Sequence, residues 1–243
     1  MRFAIFGDIH ANLEALQTVL EDAHARECTH FVCLGDVVGY NANPRECLDI
    51  VRGLECPVVK GNHDEHASSD GDLGNFNPLA GEAIAWTRNQ LSEADKQWLR
   101  ELRLVRQVRD FTIVHATLDT PHMWGYVFNQ LDAAASFNYQ HTTICFYGHT
   151  HEPRAYMRDS GVKNVSLVPG DKLPIDVSKK YFVNTGSVGQ PRDGDWRASY
   201  CIHDTSEHWV ELRRLEYDIY TAQDKIRAAG LPERLAERLE LGK

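Results

Sequence analysis

The sequence predicts an α/β fold that opens on a parallel sheet, and three observations carry that prediction. Apolar runs at Arg2 to Phe6, Phe31 to Leu34 and Pro57 to Val59 alternate with two amphipathic stretches. That is the strand–helix–strand–helix–strand order of right-handed parallel crossovers. Each run gives way within two residues to a glycine (Gly7, Gly35, Gly61), which marks a sharp turn. Just past each glycine stands a polar group, Asp8, Asp36 or Asn62. These three share one edge, the carboxyl ends of successive strands, where open α/β sheets bind ligands.

The elements follow in order. Asn12 is placed as the N-cap of a helix that carries Leu13, Leu16, Val19, Leu20 and Ala23 on one face. Pro44 opens a second helix with Cys47, Leu48 and Val51 inward. Ser68 to Pro78 is polar and glycine-rich, a surface loop. Ala80 to Leu91 and Glu93 to Leu104 read as helices, the second behind a Ser92 cap. Phe111 to Val114 is a strand ending at His115, and Thr117 to Gly125 is a loop with exposed aromatic character. Gln130 to Phe137 reads as a short helix, and the strand Thr142 to Tyr147 delivers His149 and His151 in its turn. From Ala155 to Arg214 short strands dominate: Val162 to Val168, Tyr181 to Val183, Ser199 to His203 and Trp209 to Leu215. They are expected to form a second, largely antiparallel sheet within the same domain, since no flexible linker precedes them. The expected organisation is therefore one domain, 1–243, with 218–243 a C-terminal helical segment broken at Gly230-Leu231-Pro232.

Composition narrows the function. The 243 residues are 42% hydrophobic and 25% charged, ordinary for a soluble protein, with a net charge of −9. That balance argues against a nucleic-acid polymer or an anionic membrane as partner. It leaves an anionic small substrate open, because bound cations would dominate the local field. The six cysteines include no close C-x-x-C pair, and Cys33 and Cys145 lie in strand-like runs. Buried free thiols in a reducing compartment are expected. The first apolar run breaks at Gly7-Asp8, too early for a signal peptide. A cytoplasmic location is the expectation.

The chemistry lies in Asp8, His10, Asp36, Asn62, His115, His149 and His151, a mixed oxygen and imidazole set. It is too large for one tetrahedral zinc. Two ions ~3.5–4 Å apart fit better and need one ligand that reaches both. Asp36 is the candidate, since Asp8 has His10 beside it to complete its own ion. Carboxylate, amide and imidazole together suit manganese, iron, zinc or nickel. Two divalent ions less two carboxylates and a hydroxide leave roughly one positive charge for the substrate. A phosphodiester carries about one negative charge, which favours diesters.

Taken jointly, Asp8-x-His10, Gly35-Asp36, Gly61-Asn62-His63-Asp64, His115 and Gly148-His149-x-His151 resemble the calcineurin-like metallophosphoesterase superfamily. Gly7 to Asn12 and Asn184 to Arg192 resemble its small bacterial-type phosphodiesterase branch. The resemblance implies a four-layer α/β/β/α sandwich (metallo-dependent phosphatase-like) with mixed sheets. It assigns Asp8, His10, Asp36 and His151 to one ion, and Asp36, Asn62, His115 and His149 to the other. His63 is then the residue that protonates the leaving group while a metal-bridging hydroxide attacks in line. One departure bears on substrate. Calcineurin continues Gly-Asp as Gly-Asp-x-x-Asp-Arg-Gly, whereas Gly35-Asp36-Val37-Val38-Gly39-Tyr40 lacks both the second Asp and the Arg. Protein phosphatase activity is therefore not expected. A second departure is Ala116-Thr117 after His115, where many relatives carry Gly-Ser.

Several residues carry two readings each. Asp64 caps a helix or orients His63. Asn12 caps its helix or also touches substrate. Gly186 to Gly189, with Ser187, is a phosphate cradle or a tight turn. Arg192 is a cation for a second phosphate, and Trp124 and Tyr126 stack on a base or pack. His66 and His122 fall in loops near the site, while His24, His30, His141, His203 and His208 read as surface or strand-edge residues. The expected activity is hydrolysis of a small phosphodiester or nucleotide. A phosphomonoesterase, a dinucleoside polyphosphate hydrolase and a non-catalytic protein-binding scaffold are the alternatives, and a homo-oligomer is allowed.

Overall fold

The first strand, β1 (Arg2–Phe6), sends alternate side chains to opposite faces, and each face meets a different layer. In the computed structural model, which describes residues 1–74, 77–159 and 161–243, the elements that follow are α1 (Leu13–Ala25), β2 (His30–Cys33), α2 (Pro44–Gly53), α3 (Asn62–Ala67), α4 (Pro78–Gln90) and α5 (Glu93–Glu101). The middle holds β3 (Val105–Val108), β4 (Phe111–Val114), α6 (Gln130–Tyr139), β5 (Ile144–Tyr147), β6 (Arg154–Asp159), β7 (Ser166–Val168) and β8 (Lys172–Pro174). The chain closes with β9 (Lys179–Asn184), β10 (Ala198–Asp204), β11 (Trp209–Leu215), α7 (Ile219–Ala228) and α8 (Glu233–Leu241).

Two mixed sheets form, one in the order β2-β1-β10-β11-β8 and one in the order β3-β4-β5-β9-β6-β7. Between them pack Phe3, Ile5 and Val32 from the first sheet and Phe111, Ile113, Phe146 and Val183 from the second. Phe3 meets Phe111 edge-on at 5.2 Å. Each fully buried side chain of this kind contributes about 1.5–3 kcal/mol. Ala4 and Phe6 point the other way, into a core with Leu16, Val19, Leu48 and Ile226 of the helices. Ala133 and Phe137 of α6 cover the outer face of the second sheet against Tyr147 and Phe182. The layers are α/β/β/α.

Most helix signals hold. The Asn12 side chain accepts from the Ala15 N–H at 3.1 Å, so it is the N-cap of α1. Ser92 and Asp95 form a capping box on α5, and the helices break at Gly230-Leu231-Pro232.

Five expectations need correction. The strands after Ala155 do not make their own sheet. β6, β7 and β9 join β3, β4 and β5, while β8, β10 and β11 join β1 and β2. Long-range partners decide that, not local pattern. Residues 57–59 form only single bridges, Cys33 with Val58 and Val59 with Arg103. The predicted 162–168 strand shrinks to β7, and β6, whose ends are charged, was not expected. The helix predicted over Glu93 to Leu104 stops at Glu101, ahead of the edge strand β3, which pairs with β4. Of the expected 68–78 loop, residues 75 and 76 lie outside the described residues, and Pro78 already opens α4.

Candidate metal centre

Strands β1 and β2 run parallel in one sheet, and β4, β5 and β9 run parallel in the other. Their carboxyl ends meet at one edge of the sandwich. There β1 presents Asp8 and His10, β2 presents Asp36, β4 presents His115 and β5 presents His149 and His151. The loops are laced together by backbone bonds, among them Asp8 N–H to Gly35 O and His10 N–H to Asp36 O, both at 2.9 Å. Gly148 N–H also donates to His115 O at 2.9 Å, which ties the β5 turn to β4.

Asn62 and His63 stand in the first turn of α3 rather than in an open turn. Asp64 settles its two readings as the cap. Its carboxylate accepts from the N–H groups of Gly61, Asp36 and Val37 at 2.8–3.0 Å, with Val38 at 3.3 Å. It therefore locks the Asp36 loop onto the start of α3.

Donor atoms of Asp8, His10, Asp36 and His151 lie within 4.8 Å of one another, as do those of Asp36, His115 and His149. Asp36 belongs to both groups. His151 Nε2 is 3.2 Å from Asp8 Oδ1, His115 Nε2 is 3.3 Å from Asp36 Oδ2, and Asn62 Oδ1 is 3.2 Å from His115 Nε2. Ligands about 2.1 Å from one ion and roughly at right angles or wider sit about 3 Å or more apart. The donor set therefore fits divalent ions.

The imidazoles are turned for the same purpose. Nδ1 of His10, His115 and His151 faces the carbonyl oxygens of Val38, Leu34 and Gln190, at 3.1, 2.8 and 2.5 Å. A proton on Nδ1 donates there and leaves the Nε2 lone pair for a cation. His149 is reversed: its Nε2 meets the Trp124 carbonyl oxygen at 2.9 Å, freeing Nδ1. The Tyr126 ring stacks on His149 at 4.2 Å, so the 117–126 loop holds that imidazole in place.

Backbone conformation is unusual here. Asp8, His10, Asp36, His149 and His151 all have φ between 48° and 67°. Left-handed backbone costs about 1–3 kcal/mol at each such residue and persists where surrounding structure enforces it. Close approach explains two motif glycines. A Cβ on Gly61 would meet Asp36 Oδ1 at 2.0 Å, and one on Gly148 would meet Asp8 Oδ2 at 2.2 Å.

His63 is buried beside both groups but belongs to neither. Its ring lies 4.7 Å from His10 and 4.5 Å from Tyr40, and its backbone N–H donates to Asp36 Oδ1 at 2.8 Å. A Cβ on Gly39 would meet its Nδ1 at 2.3 Å. Tyr40 and Gly39 were not singled out as site residues from sequence; their signal was only the missing Asp and Arg. Asn62, His63, His66, His122, Trp124 and Tyr126 line a cavity of about 630 Å³ at this edge.

Three expected substrate contacts behave differently. Asn12 is buried, with Oδ1 on its cap bond and Nδ2 donating to Gly189 O at 3.1 Å. The Ser187 hydroxyl is buried, donating to Asp8 O at 2.7 Å and accepting from Gln190 N–H at 2.8 Å. The N–H groups of Val188 and Gly189 go to Gly7 O and Asp8 O. This segment is a brace under Asp8, not a phosphate cradle. Arg192 remains half-exposed next to Tyr40, its Nη2 donating to the Tyr40 hydroxyl at 3.1 Å. His203 is buried in β10 between Phe111 and Phe146, away from the strand edge expected for it.

Without cations the ligand cluster titrates in opposing directions. Burial lowers His63 to about 4 and His149 to about 3, and it lowers His10 and His151 as well. Burial would lower His115 too, but the Asp36 charge and hydrogen bond lift it to about 9. Burial pushes Asp36 up, yet His115, His63 and His10 hold it well below the usual carboxylate range. Burial and the Asp36 charge push Asp64 up to about 7. Below pH 6.5 an unfolded chain protonates histidines that the folded one keeps neutral, so stability falls as pH drops toward 4. Asp64 and His115, both raised, work against this trend, and the four lowered histidines carry it. In chelator the melting temperature should fall by roughly 5–10 °C between pH 7 and pH 5. A flat or rising profile would contradict the burial of neutral imidazoles.

Fold and ligand geometry define a metallophosphoesterase, and the chain belongs to the calcineurin-like phosphoesterase superfamily, whose domain model matches residues 1–208. The uncharacterized protein MJ0912 of Methanocaldococcus jannaschii is 40% identical over 99% of this chain and 98% of that protein. A metallophosphoesterase crystal structure from Sphaerobacter thermophilus is 42% identical with a TM-score of 0.89, covering 100% of this chain and 99% of that one. The hypothetical protein PH1004 of Pyrococcus horikoshii shares the fold at 19% identity and a TM-score of 0.82, covering 100% and 98% of the two chains. Cysteines 28, 33, 47, 56, 145 and 201 are all free. No helix among the described residues is long and apolar enough to cross a membrane.

Proposed function

We propose that this protein is a two-ion phosphodiesterase that hydrolyses a small phosphodiester or nucleotide. The observation that carries the reading is the pair of ligand groups sharing Asp36, with His63 buried beside them and outside both. Asp8, His10, Asp36 and His151 would hold one ion, and Asp36, Asn62, His115 and His149 the other. Such ions, of manganese, iron, zinc or nickel type, supply a nucleophilic water at neutral pH and offset charge on the phosphoryl oxygens.

The chain's own residues do the rest. Gly39 lies against Nδ1 of His63, so Nε2 is the atom we assign to the leaving oxygen. Burial favours the neutral ring, and an anionic phosphate beside it favours the imidazolium. The proton then passes from Nε2 to the departing oxygen. Trp124 and Tyr126 on the cavity wall offer faces for an organic leaving group.

The complete ligand set counts against a non-catalytic scaffold, and the free thiols fit a cytoplasmic enzyme. The test is kcat/KM on bis-p-nitrophenyl phosphate against p-nitrophenyl phosphate with each metal. A higher value for the diester is expected. A monoester preference across several metals would overturn the choice of diester.

A further inference from the structure

A histidine side chain has two rotatable bonds, and proton transfer from Nε2 needs a hydrogen-bond distance to the leaving oxygen. The His63 ring must therefore be held. Gly39, His10 and Tyr40 border it. Gly39 closes on the Nδ1 edge, His10 stands edge-on at 4.7 Å, and the Tyr40 ring lies 4.5 Å away at an interplanar angle of 49°. His10 belongs to a ligand group and Gly39 has no side chain. Of the three, Tyr40 alone offers a side chain with no donor to give an ion.

Tyr40 is itself tightly fixed. Gly39 and Tyr40 both take left-handed backbone, with φ of 95° and 60°. A tyrosine there carries a cost and persists where its neighbours enforce it. Asn41 does part of that, its N–H donating to Gly39 O at 2.8 Å and its Nδ2 to His10 O at 2.7 Å. The Tyr40 side chain is buried on the cavity wall, 4.6 Å from the His10 ring. Arg192 donates from Nη2 to its hydroxyl at 3.1 Å. Cζ of Arg192, from the loop after β9, is 5.7 Å from the ring centroid, and Cζ of Arg238, from α8, is 5.5 Å away. Guanidinium groups so placed are attracted to the ring face and favour an aromatic side chain at this position. Both are anchored in turn: Gln190 accepts from Arg192 Nε at 2.9 Å and donates to the Lys243 carbonyl oxygen, to which Arg238 Nε also donates.

We propose that Tyr40 is the positioning residue for His63: its ring, held by Arg192 and Arg238, sets the imidazole so that Nε2 faces the leaving oxygen. The inference deepens the phosphodiesterase reading and rests on the proton-donor role given there to His63. Tyr40 acts through His63 and supplies no ligand to either ion, so its loss should copy the His63 defect and leave the metal centre intact.

The test has a kinetic arm and a spectroscopic arm, both on the metal-loaded full chain. Tyr40→Ala should keep its metal content and KM while kcat falls on the order of 10²-fold on diphenyl phosphate, whose leaving phenolate is basic. The loss should be much smaller on bis-p-nitrophenyl phosphate. Adding Tyr40→Ala to His63→Ala should cost nothing further, since the group it positions is gone. Tyr40→Phe keeps the ring and should recover most of the activity, and Tyr40→Leu replaces the alanine variant if that one unfolds. In the zinc-loaded protein, the His63 Cε1–H proton resonance is assigned by its absence from His63→Ala. It should be one sharp line that shifts and broadens in Tyr40→Ala and stays in place in Tyr40→Phe. A lost ion, additive losses in the double variant, equal losses on the two esters, or a resonance unmoved by Tyr40→Ala would overturn the positioning role. If the wild type turns over neither ester with any metal, the phosphodiesterase reading fails, and the resonance alone decides whether Tyr40 sets the ring.

Discussion

Replacing His63 with alanine is expected to leave metal content unchanged while kcat falls ~10²–10⁴-fold on an ester with a basic leaving group. The ring joins neither ligand group, so its loss removes no donor. It packs on Tyr40 and His10 at the cavity wall rather than in the sheet cores, so the fold should persist. The loss should shrink for nitrophenolate, which departs readily without a proton. Gly39→Ala should mimic part of the defect, because its Cβ would sit 2.3 Å from His63 Nδ1 on a backbone with a φ of 95°. The measurement is metal content beside kcat for two leaving groups of different basicity. An ion lost from His63→Ala, or full activity on the basic leaving group, would show that the role is misassigned.

Asp36→Asn should do more damage, and of a different kind. Asp36 stands in both ligand groups, accepts the His63 backbone N–H at 2.8 Å and lies 3.3 Å from His115 Nε2. The substitution removes the charge that lifts the His115 pKa and the only carboxylate common to the two groups. Occupancy of both sites should drop, and kcat should fall on the order of 10³-fold or more, as for loss of a principal catalytic group. Asn62→Ala should weaken one ion only and respond partly to added metal. If Asp36→Asn retained two tightly bound ions, the shared carboxylate would have to be sought elsewhere.

The ligand loops were legible because each follows a short buried strand and is introduced by a glycine or by the strand end itself. Gly61 and Gly148 are in the motifs since carboxylates of Asp36 and Asp8 rest against them, a contact that single-sequence pattern records as punctuation. Cap residues Asn12 and Ser92 were legible for a local reason: each bonds an N–H three positions on. Sheet membership was not legible. β9 pairs with β5 and β10 with β1, and such pairings leave no mark on local periodicity. The edge strand β3 and the strand β6, one in from the other edge, carry arginines and expose part of each face, so their alternation is weak. Ser187 and Asn12 looked like substrate contacts because polar side chains near a site can serve either the ligand or the frame. Here the frame takes them, through Asp8 O and Gly189 O. The approach of Arg238 to Tyr40 joins the last helix to the second strand's loop, and only the folded chain brings them together.

The central claim is that two ions held by one shared carboxylate make this site an esterase. It is tested most directly by stripping the protein of metal and titrating Mn²⁺ back while following both bound metal and hydrolysis of bis-p-nitrophenyl phosphate. The expected result is no turnover in the stripped protein and activity that rises to a plateau as the second ion per chain binds. Full turnover without metal, or a plateau reached with a single ion bound at saturation, would contradict the account.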